Sequence, residues 1–469
     1  MDYIFTYDRD SFEKEGIKSS KIKKLIEKHE SVLVPGIQKC IKYYLAEHAS
    51  IEKRNLSNLK RNPVVANHAK DIADTSSGYF MGNPITYQMS SDDTDQLKIL
   101  IDAIDYATAD DDDQENALML SICGRAYEYI YPEENEPNLL IKPLDPLHTF
   151  IVCDRSIEHS ELFAVYYYRK KDDAKTEEYA NLYVTVCTDT ETFEFILKDN
   201  EDVEPVCKKQ HRCGFIPIVE YKNNKFAVGD FEQQIGLIDA YNALTEDRIT
   251  DKEQFIDAIL VIYGAMLGDT RDKSHEAMET LGKEKLLELD TDAKAEYLTR
   301  TFDENGMEIL RKALKEDIYT FSHVPNLSDE NFAGNSSGVA MEYKLLGLEM
   351  LTKIKERWYR RGLRKRLRIL LYWLNLKSQT IDESDIIITF SRSLPKNLLE
   401  LSQIINNLEE NVSARTLLSL LPFVENPDEE IEAVEGEKDK AVQRQQEAFR
   451  QTANSLPDGI NDAQVEKDE

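Results

Sequence analysis

Apolar residues recur at helical spacing near the start of the chain. Between about Ser19 and Ala49, Ile22, Leu25, Ile26, Val32, Ile37, Ile41 and Leu45 stand among charges, which predicts helix. Pro35-Gly36 interrupts the stretch, so two shorter helices are expected. A short helix to about Ser76 follows Asn62-Pro63. Gly78 to Tyr87 then sets turn residues inside an aromatic and β-branched pattern that predicts strand. Residues 94 to 123 read as helix. From about Arg125 to Tyr221 the pattern shortens to strands separated by charged turns: Ala126 to Tyr131, Phe150 to Cys153, Ala164 to Tyr168, Tyr183 to Cys187 and Phe193 to Leu197. That order predicts an α+β region with a largely antiparallel sheet.

The second half changes character. Nothing breaks a helix from Phe231 to about Ile256, and Ile235, Ile238, Tyr241, Leu244 and Ile249 mark its apolar stripe. Three strand-like runs follow (Leu260 to Tyr263, Lys285 to Leu289, Ala295 to Leu298), then a helix from about Asn305 to Thr320. A helix, a small insertion and a returning helix make a hairpin with a compact tip. Asn326 to Gly338 is a polar, glycine-bearing loop feeding a helix from Val339 to about Leu376, roughly 55 Å long at 1.5 Å per residue. Val339, Tyr343, Leu346, Met350, Ile354 and Trp358 form one stripe, so that side is expected to pack. Ile386 to Phe390 predicts a strand ended by Leu394-Pro395. Helices are expected from Lys396 to Leu408, from Ala414 to Leu420 with Ser413 as N-cap, and over 427 to 450, before a mobile tail.

With 469 residues, about three domains and a sizeable core are expected. The longest apolar run, Ala258 to Leu267, is far short of the ~20 residues of a spanning helix. Asp8, Asp10 and Glu13 near the N-terminus are unlike a signal peptide. Six scattered cysteines (Cys40, Cys123, Cys153, Cys187, Cys207, Cys213) fit a reducing compartment. The net charge of −30 excludes a protein that grips DNA tightly by its phosphates, though not a surface that DNA passes without sticking. The long helix reverses this locally: residues 338 to 377 hold 11 Lys/Arg against Glu342, Glu349 and Glu356.

Candidate chemistry is sparse. Asp110-Asp111-Asp112-Asp113 suits a metal or acid/base site, or else a solvated helix start that favours the helix dipole. Cys207, His211 and Cys213 fit no common zinc spacing. The eight histidines form no HExxH pattern, Gly282-Lys283 is followed by Glu284 instead of the Ser or Thr of a P-loop, and no Gly-x-Ser-x-Gly elbow is present. No catalytic residue, metal or cofactor is therefore expected. The basic cluster Arg357, Arg360, Arg361, Arg364, Lys365, Arg366 and Arg368 suits DNA or an acidic neighbour, and a neighbouring subunit is the favoured reading.

Pro325 to Met341, reading Asn326-Leu327-Ser328-Asp329-Glu330-Asn331-Phe332-Ala333-Gly334-Asn335-Ser336-Ser337-Gly338 at its centre, closely resembles the tunnel-loop segment of phage portal proteins. These are the head-to-tail connectors of long-tailed double-stranded DNA phages, here of the Gram-positive-host type. Gly78 to Tyr87, Gly124 to Glu128, Phe231 to Leu244, Phe390 to Pro395 and Ser413 to Leu421 are similar to the same family in the same order.

The resemblance implies a mainly helical α+β portal fold: wing over 1–230, stem helix 231–257, clip 258–303, returning stem helix 304–322, and tunnel loop 323–338. A long wing helix and strand would fill 339–395, a crown 396–452 and a flexible tail 453–469. It implies a twelve-subunit ring at one capsid vertex, with Asp329, Glu330, Asn331, Phe332, Gly334, Asn335, Ser336, Ser337 and Gly338 projecting into a DNA channel. Implied partners are double-stranded DNA, the terminase large subunit, a head-completion adaptor, and the major capsid and scaffolding proteins, with no membrane. The protein would reside in the virion after assembly in the host cytoplasm. A metal-dependent nuclease using Asp110 to Asp113 is the alternative.

Overall fold

The computed structural model describes residues 4–48, 64–89, 94–133, 136, 138–170, 181–197, 203, 205–256, 259–263, 275, 294–298, 304–327, 338–376, 381–392, 398–408, 411–419 and scattered positions from 421 to 440.

The chain opens with β1 (Phe5–Thr6), α1 (Arg9–Glu15), α2 (Ser19–Val32) and α3 (Val34–Tyr44). The expected break between α2 and α3 falls at Leu33, and Pro35 occupies the first turn of α3, where its missing N–H costs nothing. α4 (His68–Met81) runs through Gly78 to Met81, so the strand expected from Gly78 is confined to β2 (Thr86–Met89). Tyr79, Phe80 and Met81 are buried, and that burial outweighs their strand propensity. Residues 94 to 123 form two helices, α5 (Thr94–Tyr106) and α6 (Ala109–Cys123), parted where Thr108 adopts a left-handed φ of 53°.

β3 (Arg125–Pro132), β4 (Leu139–Leu144), β5 (Thr149–Cys153), β6 (Glu161–Lys170), β7 (Asn181–Cys187), β8 (Glu191–Leu197), β9 (Cys207–Gln210) and β10 (Ile218–Lys222) follow. They build two sheets. One has the order β1-β5-β6-β7-β8-β9, antiparallel except where β1 pairs parallel to β5. The other is β10-β3-β4, antiparallel throughout. Alternation decides which face is buried: Leu182, Val184 and Val186 of β7 point inward with Ile22 and Ile26 of α2. The five expected strands all form; β1, β4, β9 and β10 lacked a clear pattern.

The second half holds α7 (Ile235–Ile256), β11 (Ile259–Tyr263), β12 (Lys294–Leu298), α8 (Glu304–Ser322), α9 (Gly338–Leu376) and β13 (Ile386–Thr389). The pairs Tyr241–Arg311, Arg248–Glu308 and Lys252–Glu304 run in opposite order, so α7 and α8 are antiparallel. β11 and β12 pair antiparallel between them, Ile259 opposite Leu298 and Tyr263 opposite Lys294. That is the expected hairpin; its Lys285 to Leu289 strand lies outside the described residues. β13 pairs antiparallel with β2. α10 (Leu398–Leu408) and α11 (Ala414–Leu418), the latter capped by Ser413, belong to a separate unit. The expected helix over 427 to 450 and the tail are not described as elements.

α9 corrects one expectation. Tyr343, Leu346, Met350 and Ile354 are exposed, not packed; Leu345, Leu348, Tyr359, Leu363 and Leu370 are buried instead. The buried face includes Thr352, Lys355 and Arg366, so hydrophobicity alone selects the wrong side of the helix. Gly362 allows the close approach: a Cβ there would sit 2.4 Å from the Tyr221 ring of β10.

Candidate functional site

The residues expected to face a channel, Asp329, Glu330, Asn331, Phe332, Gly334, Asn335, Ser336 and Ser337, lie outside the described residues, and Gly338 opens α9. What can be built is the frame that carries them. On the incoming side, the Ser322 hydroxyl donates to Tyr319 O, and the Val324 amide donates to Ser322 Oγ. Gln234 Nε2 donates to Phe321 O at 3.0 Å, tying the end of α8 to the start of the α7 region. His323 turns the chain with a φ of 57° and packs beside Gly347 of α9.

On the outgoing side α9 is pinned at three levels. Near its first third, Glu349 accepts from Tyr79 Oη at 2.9 Å and from Arg392 Nε at 2.8 Å, while Arg392 Nη2 also donates to Glu356. One turn on, buried Lys355 donates to Ser76 Oγ (3.1 Å), Ser121 Oγ (2.8 Å) and Asp230 Oδ2 (2.7 Å). Burial pushes the Asp230 carboxyl up, but the Lys355 ammonium and its hydrogen bonds win and hold it below the usual carboxylate range. Asp230 lies just ahead of α7, so this pair joins the long helix to the root of the helical hairpin.

The third level is the deepest. Arg366 is fully buried and donates from Nη1 to Asp113 Oδ2 at 2.9 Å and from Nε to Glu128 Oε1 at 2.9 Å. Tyr359 donates to Asp113 and Tyr221 to Glu128, and the two rings stack at 4.3 Å. One guanidinium thus faces two carboxylates, whose remaining lone pairs are met by phenols.

The Asp110 to Asp113 run is therefore not simply solvated. Asp113 is committed to Arg366. Asp112 is buried with Oδ2 unbonded, and burial raises its carboxyl to about 6. Both His211 ring nitrogens are engaged by backbone, Nε2 near Thr188 O and Nδ1 accepting from the Cys213 amide. No group of three His, Cys, Asp or Glu suited to a metal occurs among the described residues. Among those residues no helix is long and apolar enough to cross a membrane.

Of the basic cluster, Arg360 pairs with Glu356, Arg364 and Arg368 with Glu383, and Lys365 with Glu161; Arg361 lies over the Trp358 ring. Arg357 is exposed. Sequence reasoning missed Lys355 and Arg366 as anchors. Tyr359, Leu363, Arg366 and Leu370 share one helical phase, but the Tyr343-Leu346-Met350-Ile354 stripe competes with it, so the pattern alone does not put the arginine in the core.

The family model for phage portal proteins, SPP1 Gp6-like, matches residues 23–444. The portal protein of Bacillus phage SPP1 is 23% identical over 489 residues, covering 96% of this chain and 91% of that protein. The portal protein of Clostridium phage phiCD119 (strain Clostridium difficile/United States/Govind/2006) is 24% identical over 225 residues, 47% of this chain and 48% of that protein. A solved chain from the neck of an empty GTA particle, computed with C6 symmetry, superposes with a TM-score of 0.44 at 11% identity, covering 80% of this chain and 94% of that one. An overlay that loose supports no inference. The family match spans almost the whole sequence: this chain belongs to the SPP1 Gp6-like phage portal proteins, structural components of the virion and not enzymes.

Proposed function

We propose that copies of this chain form a twelve-subunit ring at one capsid vertex, through which double-stranded DNA is packaged and later ejected. Family membership implies a DNA packaging channel at the vertex, and the match over residues 23–444 is the observation that carries the proposal. The α7–α8 hairpin with its two-stranded tip supports assigning residues 231–257 and 304–322 to a stem and 258–303 to a clip. Residues 1–230 and 339–395 form the wing, and 396–452 the crown.

Residues 323–338 project into the channel. Glycine and small polar side chains over 333–338 let that loop bend as DNA passes, while Asp329 and Glu330 keep phosphates from sticking. No P-loop is present, so the work of translocation comes from a separate terminase docking on the clip; a head-completion adaptor takes its place after packaging. Capsid and scaffolding proteins surround the ring.

Negative-stain imaging of the purified full-length protein tests this. A hollow ring of about a dozen subunits is expected; monomers, or an assembly lacking an axial opening wide enough for duplex, overturn it.

A further inference from the structure

α9 has two faces of different chemistry. One is seated on its own wing through Leu348, Tyr359, Leu363 and Arg366. The other is uncovered among the described residues. Tyr343, Leu346, Met350 and Ile354 are 75%, 52%, 62% and 46% exposed, a row about 16 Å long within roughly 80° of helix circumference. Arg357, Arg361, Arg364 and Arg368 continue on that same side at the same angles. Arg364 and Arg368 share a single partner, Glu383, and Arg361 has its own Trp358 ring. The face is thus apolar in its first half and cationic in its second.

We propose that this face of α9 is the contact through which one subunit grips the next copy of the same chain; the proposal rests on the portal reading above. Two observations select a copy of this chain as occupant. A duplex backbone would satisfy the arginines but could not cover Tyr343, Leu346, Met350 and Ile354, because phosphate contacts remove no apolar surface from water. A protein surface covers both halves, as interfaces pair a desolvated apolar centre with a polar rim. This chain also carries a net charge of −30, so every copy offers acidic surface to the cationic half. The cationic half repels a second copy of itself, so the contact is head-to-tail, the kind that closes rings.

The test compares full-length wild type with Leu346→Asp/Met350→Asp and with Arg357→Glu/Arg361→Glu, using Ile157→Asp as a control on an exposed apolar residue elsewhere. Mass photometry reads the ring fraction, and circular dichroism reads folding. Rings from wild type and control, with the ring fraction of both double variants lowered about tenfold or more at equal concentration and unchanged spectra, are expected. Benzoylphenylalanine at Met350 supplies a second readout should a variant misfold: irradiation is expected to join two copies.

Variants that ring like wild type, or a Met350 probe that never crosslinks to another copy, overturn the contact while leaving the portal reading intact. Variants that form normal rings yet fail to package DNA overturn it in favour of a channel-lining face. Wild type that forms no ring defeats the portal reading and this contact together.

Discussion

At the scale of single residues, the frame around α9 is held by buried charge. Arg366 is the clearest case, because its removal would leave the Asp113 and Glu128 carboxyls in the core with only tyrosine donors. Breaking a buried pair from one side typically costs about 3–5 kcal/mol, whereas exposed pairs, of which Lys252–Glu304 is one, are typically worth at most about 1 kcal/mol. Arg366→Ala is therefore expected to lower the denaturant midpoint sharply and Lys252→Ala hardly at all; equal effects would contradict this account.

Acid should act through the histidines. Burial holds His29 down to about 4 and also pushes His48, His68 and His211 below their ordinary value. The unfolded chain takes protons on these groups from about pH 6.5 downward while the native chain resists, so stability is lost as pH falls from about 6.5 to about 4. Asp110 and Asp112, both raised by burial, act in the opposite sense and are fewer. A thermal midpoint that declines across this window is expected; a flat or rising one contradicts the balance.

At the scale of elements, α9 is a beam seated on α4, α6 and the β10-β3-β4 sheet. Its first residues follow in sequence from the 328–337 segment, and Glu349, Lys355 and Arg366 tie it to Tyr79 of α4 and Arg392 just after β13, to the α7 root, and to the β10-β3-β4 sheet in turn. That arrangement separates loop from frame. Replacing Asp329 to Ser337 with a short linker should leave the frame and the ring intact, since the described anchors all lie outside it, while packaged DNA falls in a packaging assay. Normal genome filling would reject a role for the loop. The opposite treatment, cutting the Lys355–Asp230 tie, would disturb the frame itself.

At the scale of the whole molecule, electrostatics work in two ranges. In the proposed twelve-subunit ring, copies at −30 each would carry about −360 before counterions, which would keep duplex from adhering to a channel wall. Repulsion between copies is already short-ranged at 0.1 M salt, where the screening length is about 10 Å, and shrinks to about 3 Å at 1 M. What further salt removes is mainly close attraction, including that of the α9 arginines for an acidic neighbour. Rings are therefore expected to loosen between 0.1 and 1 M salt, by sedimentation; rings indifferent to salt would count against that contribution.

The sequence alone determined the α+β class, the five clearest strands, the helical hairpin with strands between its helices, the length of α9 and the family resemblance, because each rests on local periodicity, turn chemistry or a long specific motif. It could not determine which face of α9 packs. That choice depended on Lys355 and Arg366 finding Asp230, Asp113 and Glu128 from distant segments, with separations of 125, 253 and 238 residues. The same blindness left Asp113 inside a run read as a metal site or a solvated helix start, when it is the partner of Arg366, and turned the buried part of Gly78 to Met81 from helix into expected strand. Pairing across such distances decides whether a charge belongs in a core. No local pattern carries that information; only the assembled tertiary structure does.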